Sequence, residues 1–153
     1  MSLCIQNQHN HLKTSLPCLR KNVRRALEAL KLKNTALDIA LVNDLAMRRL
    51  NFEQRNVSTT TDVLSFPSIQ PGPDQVGVPR VFSGIFLGDV IISLDVAQKQ
   101  ALAQHISLSK EVTFLIIHSL LHLLGYDHDT QKKLRTMQAV ESRIWRMVAL
   151  SRT

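Results

Sequence analysis

The chain has 153 residues, 44% of them hydrophobic and 20% charged, the balance of an ordinary globular domain able to bury a core. No apolar run approaches the ~20 residues of a membrane span, and the start Met1-Ser-Leu-Cys-Ile-Gln lacks the regions of a secretion signal; a cytoplasmic protein off the membrane, with Cys4 and Cys18 as reduced thiols, is expected. The net charge of +7 is clustered, with seven Lys or Arg against Glu28 alone between Lys13 and Lys33, which favours a polyanionic partner such as nucleic acid.

Leu3 to Gln8 alternates and reads as a first strand. From Ser15 to Leu32, Leu16, Leu19, Val23, Ala26, Leu27 and Leu30 recur at helical spacing, with Ser15 as N-cap and Pro17 in the first turn. Ala36 to Val42 reads as a second strand, and Asn43-Asp44 caps a short helix through Leu50, with Leu45 and Arg48/Arg49 on opposite sides. The stretch from Phe52 to Thr61, which contains Arg55, is polar and irregular. Thr61 to Phe66 is a third strand stopped by Pro67, followed by a Pro/Gly-rich loop from Ser68 to Ser83. Leu87 to Ile92 is a fourth strand. Ser93 caps a helix to about His105, buried through Leu94, Ala97, Ala101 and Leu102. Glu111 to Leu124 forms a helix that is apolar nearly all round and must be central. Asp129 or Thr130 caps a last helix with a stripe of Leu134, Met137, Val140, Ile144 and Met147 or Val148. Four strands and five helices imply a single α+β domain over residues 1–153, a small mixed sheet packed around the central helix.

That central helix carries the chemistry. His118 and His122, four residues apart, project from one face so that both imidazoles can reach one ion. Gly125 follows the last periodic leucine, where helices turn left-handed, and only Tyr126 and Asp127 separate it from His128. Scattered histidines on a buried helix are the bland alternative, but the spacing and the placed glycine favour a metal-bearing helix. Three imidazoles without a fourth protein ligand nearby describe a catalytic zinc site with one position open; His105 is a remote fourth candidate.

The segment matches every fixed position of the metzincin pattern H-E-x-x-H-x-x-G-x-x-H except the Glu, which is Ser119. A serine hydroxyl has no useful proton affinity near neutral pH, so a peptidase or amidase lacks its general base. A non-catalytic RNA-binding factor with a structural zinc is a further alternative, weakened by the missing fourth ligand. With one Trp (Trp145) and one Tyr (Tyr126), the chain has no aromatic run for reading bases.

Three segments together resemble the YbeY-type metallo-endoribonucleases. His118-Ser-Leu-Leu-His122-Leu-Leu-Gly-Tyr-Asp-His128 resembles that family's H-x3-H-x5-H signature. Arg55 followed by Thr61-Asp-Val-Leu-Ser-Phe-Pro67 is similar to its second block, and Leu87-Gly-Asp-Val90 to its third. Ser119 stands where the family usually has Gly, and Thr60 where it usually has Pro. The resemblance implies one zinc on His118, His122 and His128, with single-stranded RNA as substrate. It also implies roles in maturing the 3′ end of small-subunit 16S ribosomal RNA and in ribosome quality control, with the small subunit as partner. It brings Arg55 in as a catalytic residue, whose guanidinium can fork onto a phosphate. Whether water or the RNA 2′-hydroxyl attacks is left open by the residues, and so is the general base. Asp127 is placed either to cap the next helix or to orient His128.

Overall fold

The computed structural model describes residues 2–32, 34–68 and 86–150. In chain order these form β1 (Ser2–Asn7), α1 (Leu16–Ala29), β2 (Ala36–Val42), α2 (Asp44–Arg55), β3 (Val63–Pro67), β4 (Phe86–Ser93), α3 (Leu94–Ala103), α4 (Leu108–Leu123) and α5 (Gln131–Leu150). The fold is α+β, with a mixed sheet in the order β1-β2-β4-β3. β1, β2 and β4 run parallel, and β3 pairs antiparallel to β4 at the edge. The expected loop from Ser68 to Ser83 lies, beyond Ser68, outside the described residues.

Alternation along the strands divides the sheet into two unequal faces. Leu3, Ile5, Leu37, Ile39, Leu41, Val90 and Ile92 join the main core with α1, α3, α4 and α5. On the other face α2 covers only one end, where Met47 meets Val42 and Leu64. Below it, Cys4, Asp38, Asp89 and Phe66 lie in register across the four strands. There burial, and then the neighbouring Asp38, push the Asp89 carboxyl above its usual range.

α4 is central, as its composition requires. It packs against α1, α3, α5, β3 and β4, and Val112, Ile116, Leu120, Leu121 and Leu123 are fully buried. Asn22 of α1 donates to Thr113 Oγ1, and Thr14 meets Ser109, so α1 is pinned to the first half of α4. The other half carries His118 and His122 beside β3, where they line one cleft with it. No single described helix is long and apolar enough to cross a membrane; α3 and α4 together have the composition but meet at 112°.

Several elements differ from expectation. α2 runs on to Arg55 instead of ending at Leu50, so Arg55 closes a helix rather than sitting in a loop. Its buried residues are Met47 and Asn51, while Leu45 is 69% exposed. Leu102 likewise faces out, at 65% exposure, leaving α3 to bury Leu94, Ala97 and Ala101. Pro67 ends within β3 because an edge strand tolerates the missing donor. On α5, Val148 is buried and Met147 is not.

The glycine of the Leu87-Gly-Asp block has a steric cause. β4 carries one extra residue between its pairings to Ala36 and Leu37, a bulge that leaves Gly88 at φ 143. A Cβ there would stand 2.3 Å from the Phe66 carbonyl oxygen and 3.0 Å from Pro67 Cα. Gly88→Ala is therefore expected to destabilise the fold by roughly 3 kcal/mol or more, strain and clash combined. Urea denaturation measures it, and a variant within 0.5 kcal/mol of wild type, on the scale of an ordinary surface change, would contradict the bulge geometry.

Candidate functional site

The C-terminus of α4 is built to return the chain. Gly125, at φ 97, donates to the His122 carbonyl at 3.0 Å, and Tyr126 donates to the Leu121 carbonyl at 2.9 Å. These two bonds are a Schellman closure, and they need the left-handed residue that glycine supplies cheaply. Asp127 Oδ1 then accepts from the His128 backbone N–H at 2.7 Å, tightening the turn. Neither expected use of Asp127 is seen: its bond is to the His128 backbone and not to the ring. Thr130 caps α5, its Oγ1 accepting from the Lys133 N–H at 3.1 Å.

The three histidines come together as a result. His118 Nε2 and His122 Nε2 are 3.1 Å apart, and the rings stand edge to face with centroids 4.7 Å apart. The His128 ring centroid is 5.5 Å from that of His122. All three line one cleft of about 550 Å³, walled by β3 and reached by Arg55 and Asp62. Burial, and then the charges of His118 and His128, hold the His122 imidazole below its usual range, which favours the neutral ring with a free lone pair. As they stand, no group of three or more His, Cys, Asp or Glu among the described residues forms a metal site. The expectation of a metal-bearing helix is thus met only by its central position and its clustered rings.

Arg55 is exposed and ends α2, where a cation also suits the helix dipole. Asn56 closes the helix in the left-handed region, its N–H bonded to the Phe52 carbonyl at 2.9 Å. Asn51 Nδ2 donates to the Thr59 carbonyl at 2.8 Å and ties down the loop that leads into β3. The Arg55 guanidinium has no hydrogen bond or ion pair among the described residues.

Two carboxylates near the histidines were not singled out from the sequence. Asp62 lines the cleft, but it is engaged by the Val63 N–H at 2.8 Å, the Gln100 amide at 3.3 Å and the Thr61 hydroxyl at 3.4 Å. Glu141, on α5, places Oε2 2.9 Å from His118 Nδ1. A lone carboxylate beside the apolar stripe of α5 was the available signal, since a buried charge needs a partner. The other histidines lie elsewhere. His9 bonds Asp95 at 3.1 Å, and His105 sits before the N-terminus of α4, which removes it as a fourth ligand.

Comparison with known proteins decides the family. The model of the endoribonuclease YbeY family matches residues 4–149. The chain belongs to the endoribonuclease YbeY family. Endoribonuclease YbeY of Heliobacterium modesticaldum is 41% identical over 123 residues, covering 79% of this chain and 74% of that protein. The Clostridioides difficile protein is 32% identical over 156 residues, 99% of both chains. The solution structure of TM1509 from Thermotoga maritima shares the fold, with a TM-score of 0.64 over 95% of this chain and 88% of that one at 23% identity.

Where this YbeY chain departs from the family pattern, the surroundings are plain. Ser119 is fully buried and its Oγ has no hydrogen-bond partner among the described residues, so the position held by the metzincin general base faces the core here, not the cleft. Near the start of α2, the Thr60 hydroxyl and then Arg48 hold the Asp44 carboxyl below its usual range.

Proposed function

We propose that this chain is a metal-dependent endoribonuclease that cuts single-stranded RNA during ribosomal RNA maturation and ribosome quality control. One zinc is held by His118, His122 and His128, and Arg55 meets the scissile phosphate. The family supplies the activity. The observation that carries the assignment of residues is a single cleft lined by all three imidazoles and by Arg55, whose guanidinium has no partner among the described residues. We further propose residues 1–153 as one domain acting in the cytoplasm, with the 3′ end of 16S RNA on the small subunit as target.

Three imidazoles suit zinc by their chemistry, and two of the three ring spacings support the reading. Imidazoles on one tetrahedral zinc, with bonds near 2.05 Å, have ligand nitrogens about 3.4 Å apart and ring centres about 5 Å apart. The 3.1 Å Nε2 separation and the 4.7 and 5.5 Å centroid distances lie close to those values. A zinc held there supplies Lewis acidity, at a phosphoryl oxygen or at water. The protein's own part is to orient and to neutralise charge. The buried α4 fixes the backbone that carries two of the rings, the Gly125 turn brings in the third, and Arg55 offers two parallel N–H donors to non-bridging phosphate oxygens. Among the described lining residues Phe66 is the one aromatic ring besides the histidines, which supports recognition through the flexible backbone of unpaired RNA.

A direct test uses one labelled RNA, first single-stranded and then annealed to its complement. The unpaired strand is expected to be cut internally and the duplex to resist by at least tenfold. Equal cleavage of both forms, or release of single nucleotides from an end, would contradict the reading.

A further inference from the structure

We propose that Glu141 is a positioning residue, one that sets the tautomer and orientation of His118 so that its Nε2 lone pair faces the ion. The inference rests on the reading of His118 as a zinc ligand. A carboxylate can only accept here, so at 2.9 Å from Glu141 Oε2 the Nδ1 of His118 must carry the proton. In the neutral ring the lone pair is then left on Nε2, the atom 3.1 Å from His122 Nε2. Without that partner the ring would exchange between tautomers and rotate about its outer torsion.

The arrangement is not explained by packing alone. The Glu141 side chain is 15% exposed and that of His118 31%. Among the described residues Glu141 has no Lys or Arg partner; its ion pair is with His118. A mostly buried carboxylate matched only by an imidazole is a weak way to join α5 to α4, which Phe114 against Trp145 already does through apolar contact. It is an effective way to orient a metal ligand. Such outer partners are typically worth 10–100-fold in metal affinity.

The test has two arms. In the zinc-free protein, long-range proton–nitrogen NMR of the histidine rings is expected to show His118 protonated at Nδ1. In Glu141→Ala that signature should give way to a mixture of tautomers. Glu141→Gln, nearly isosteric and safe for folding, should keep it in part, because its amide oxygen accepts the same bond. In the second arm, zinc affinity is measured by competition with a chromophoric chelator. A fall of about 10–100-fold is expected for Glu141→Ala, and a smaller one for Glu141→Gln. Folded variants with wild-type zinc affinity and unchanged His118 ring signals would overturn the proposal. If the wild type takes up no zinc, the metal reading is what fails, and the zinc-free ring signals still decide whether Glu141 sets the tautomer.

Discussion

Replacing His122 with alanine is expected to lower zinc from one per chain to a small residue and RNA cleavage by at least ~10³-fold. The size follows from what the ion contributes, several kcal/mol of transition-state stabilisation, at about 1.4 kcal/mol per tenfold in rate. His122 is the most informative of the three because its ring neighbours both others and its environment favours the neutral form. Elemental analysis and a single-turnover cleavage assay on the same preparation check both quantities. His11→Ala and His105→Ala should keep the zinc. His9→Ala should keep it too but cost stability, because His9 bonds Asp95, whose other oxygen accepts the Asp44 N–H at 2.7 Å. Full zinc retention in His122→Ala would rule this site out.

Arg55→Ala is expected to keep fold and zinc yet cleave ~100-fold more slowly at saturating RNA, the scale of losing one preorganised donor to a developing anion. The fold should survive because Arg55 is exposed and without a partner among the described residues. Arg55→Lys should rescue only in part, since an ammonium keeps the charge but not the two-pronged contact. The basic face of α1 should behave differently. Arg20, Lys21, Arg24 and Arg25 line a groove there, so Arg24→Gln with Arg25→Gln should weaken RNA binding and flatten its salt dependence without altering the chemical step. Wild-type cleavage by Arg55→Ala would reduce Arg55 to an ordinary helix-end cation.

Strand order apart, the fold was largely legible from alternation and helical spacing, because each strand buries one face and each long helix buries a stripe. The errors fall where that signal fails. Beyond Leu50, α2 buries only Asn51, and Phe52 is 55% exposed. No apolar periodicity marks its last turn, and the helix end is written instead in the left-handed Asn56. Leu102 misled because a leucine at the right spacing is no guarantee of a neighbour to cover it. The histidine cluster could be read because its geometry is local: one helical turn, then one glycine turn. Glu141 could not, since it meets His118 only through the packing of α5 on α4, a contact 23 positions apart in sequence. Asp62 was hidden for the same reason, its link to Gln100 spanning 38 positions.

The central claim, that zinc on this histidine cluster enables RNA cleavage, is tested most directly by metal removal and return on the wild-type protein. Zinc is stripped with a chelator, the chelator is dialysed away, and cleavage of a labelled single-stranded RNA is followed as zinc is titrated back. The account predicts loss of cleavage on stripping and recovery that saturates at one zinc per chain. Undiminished cleavage by protein shown to be free of zinc and other metals would contradict it.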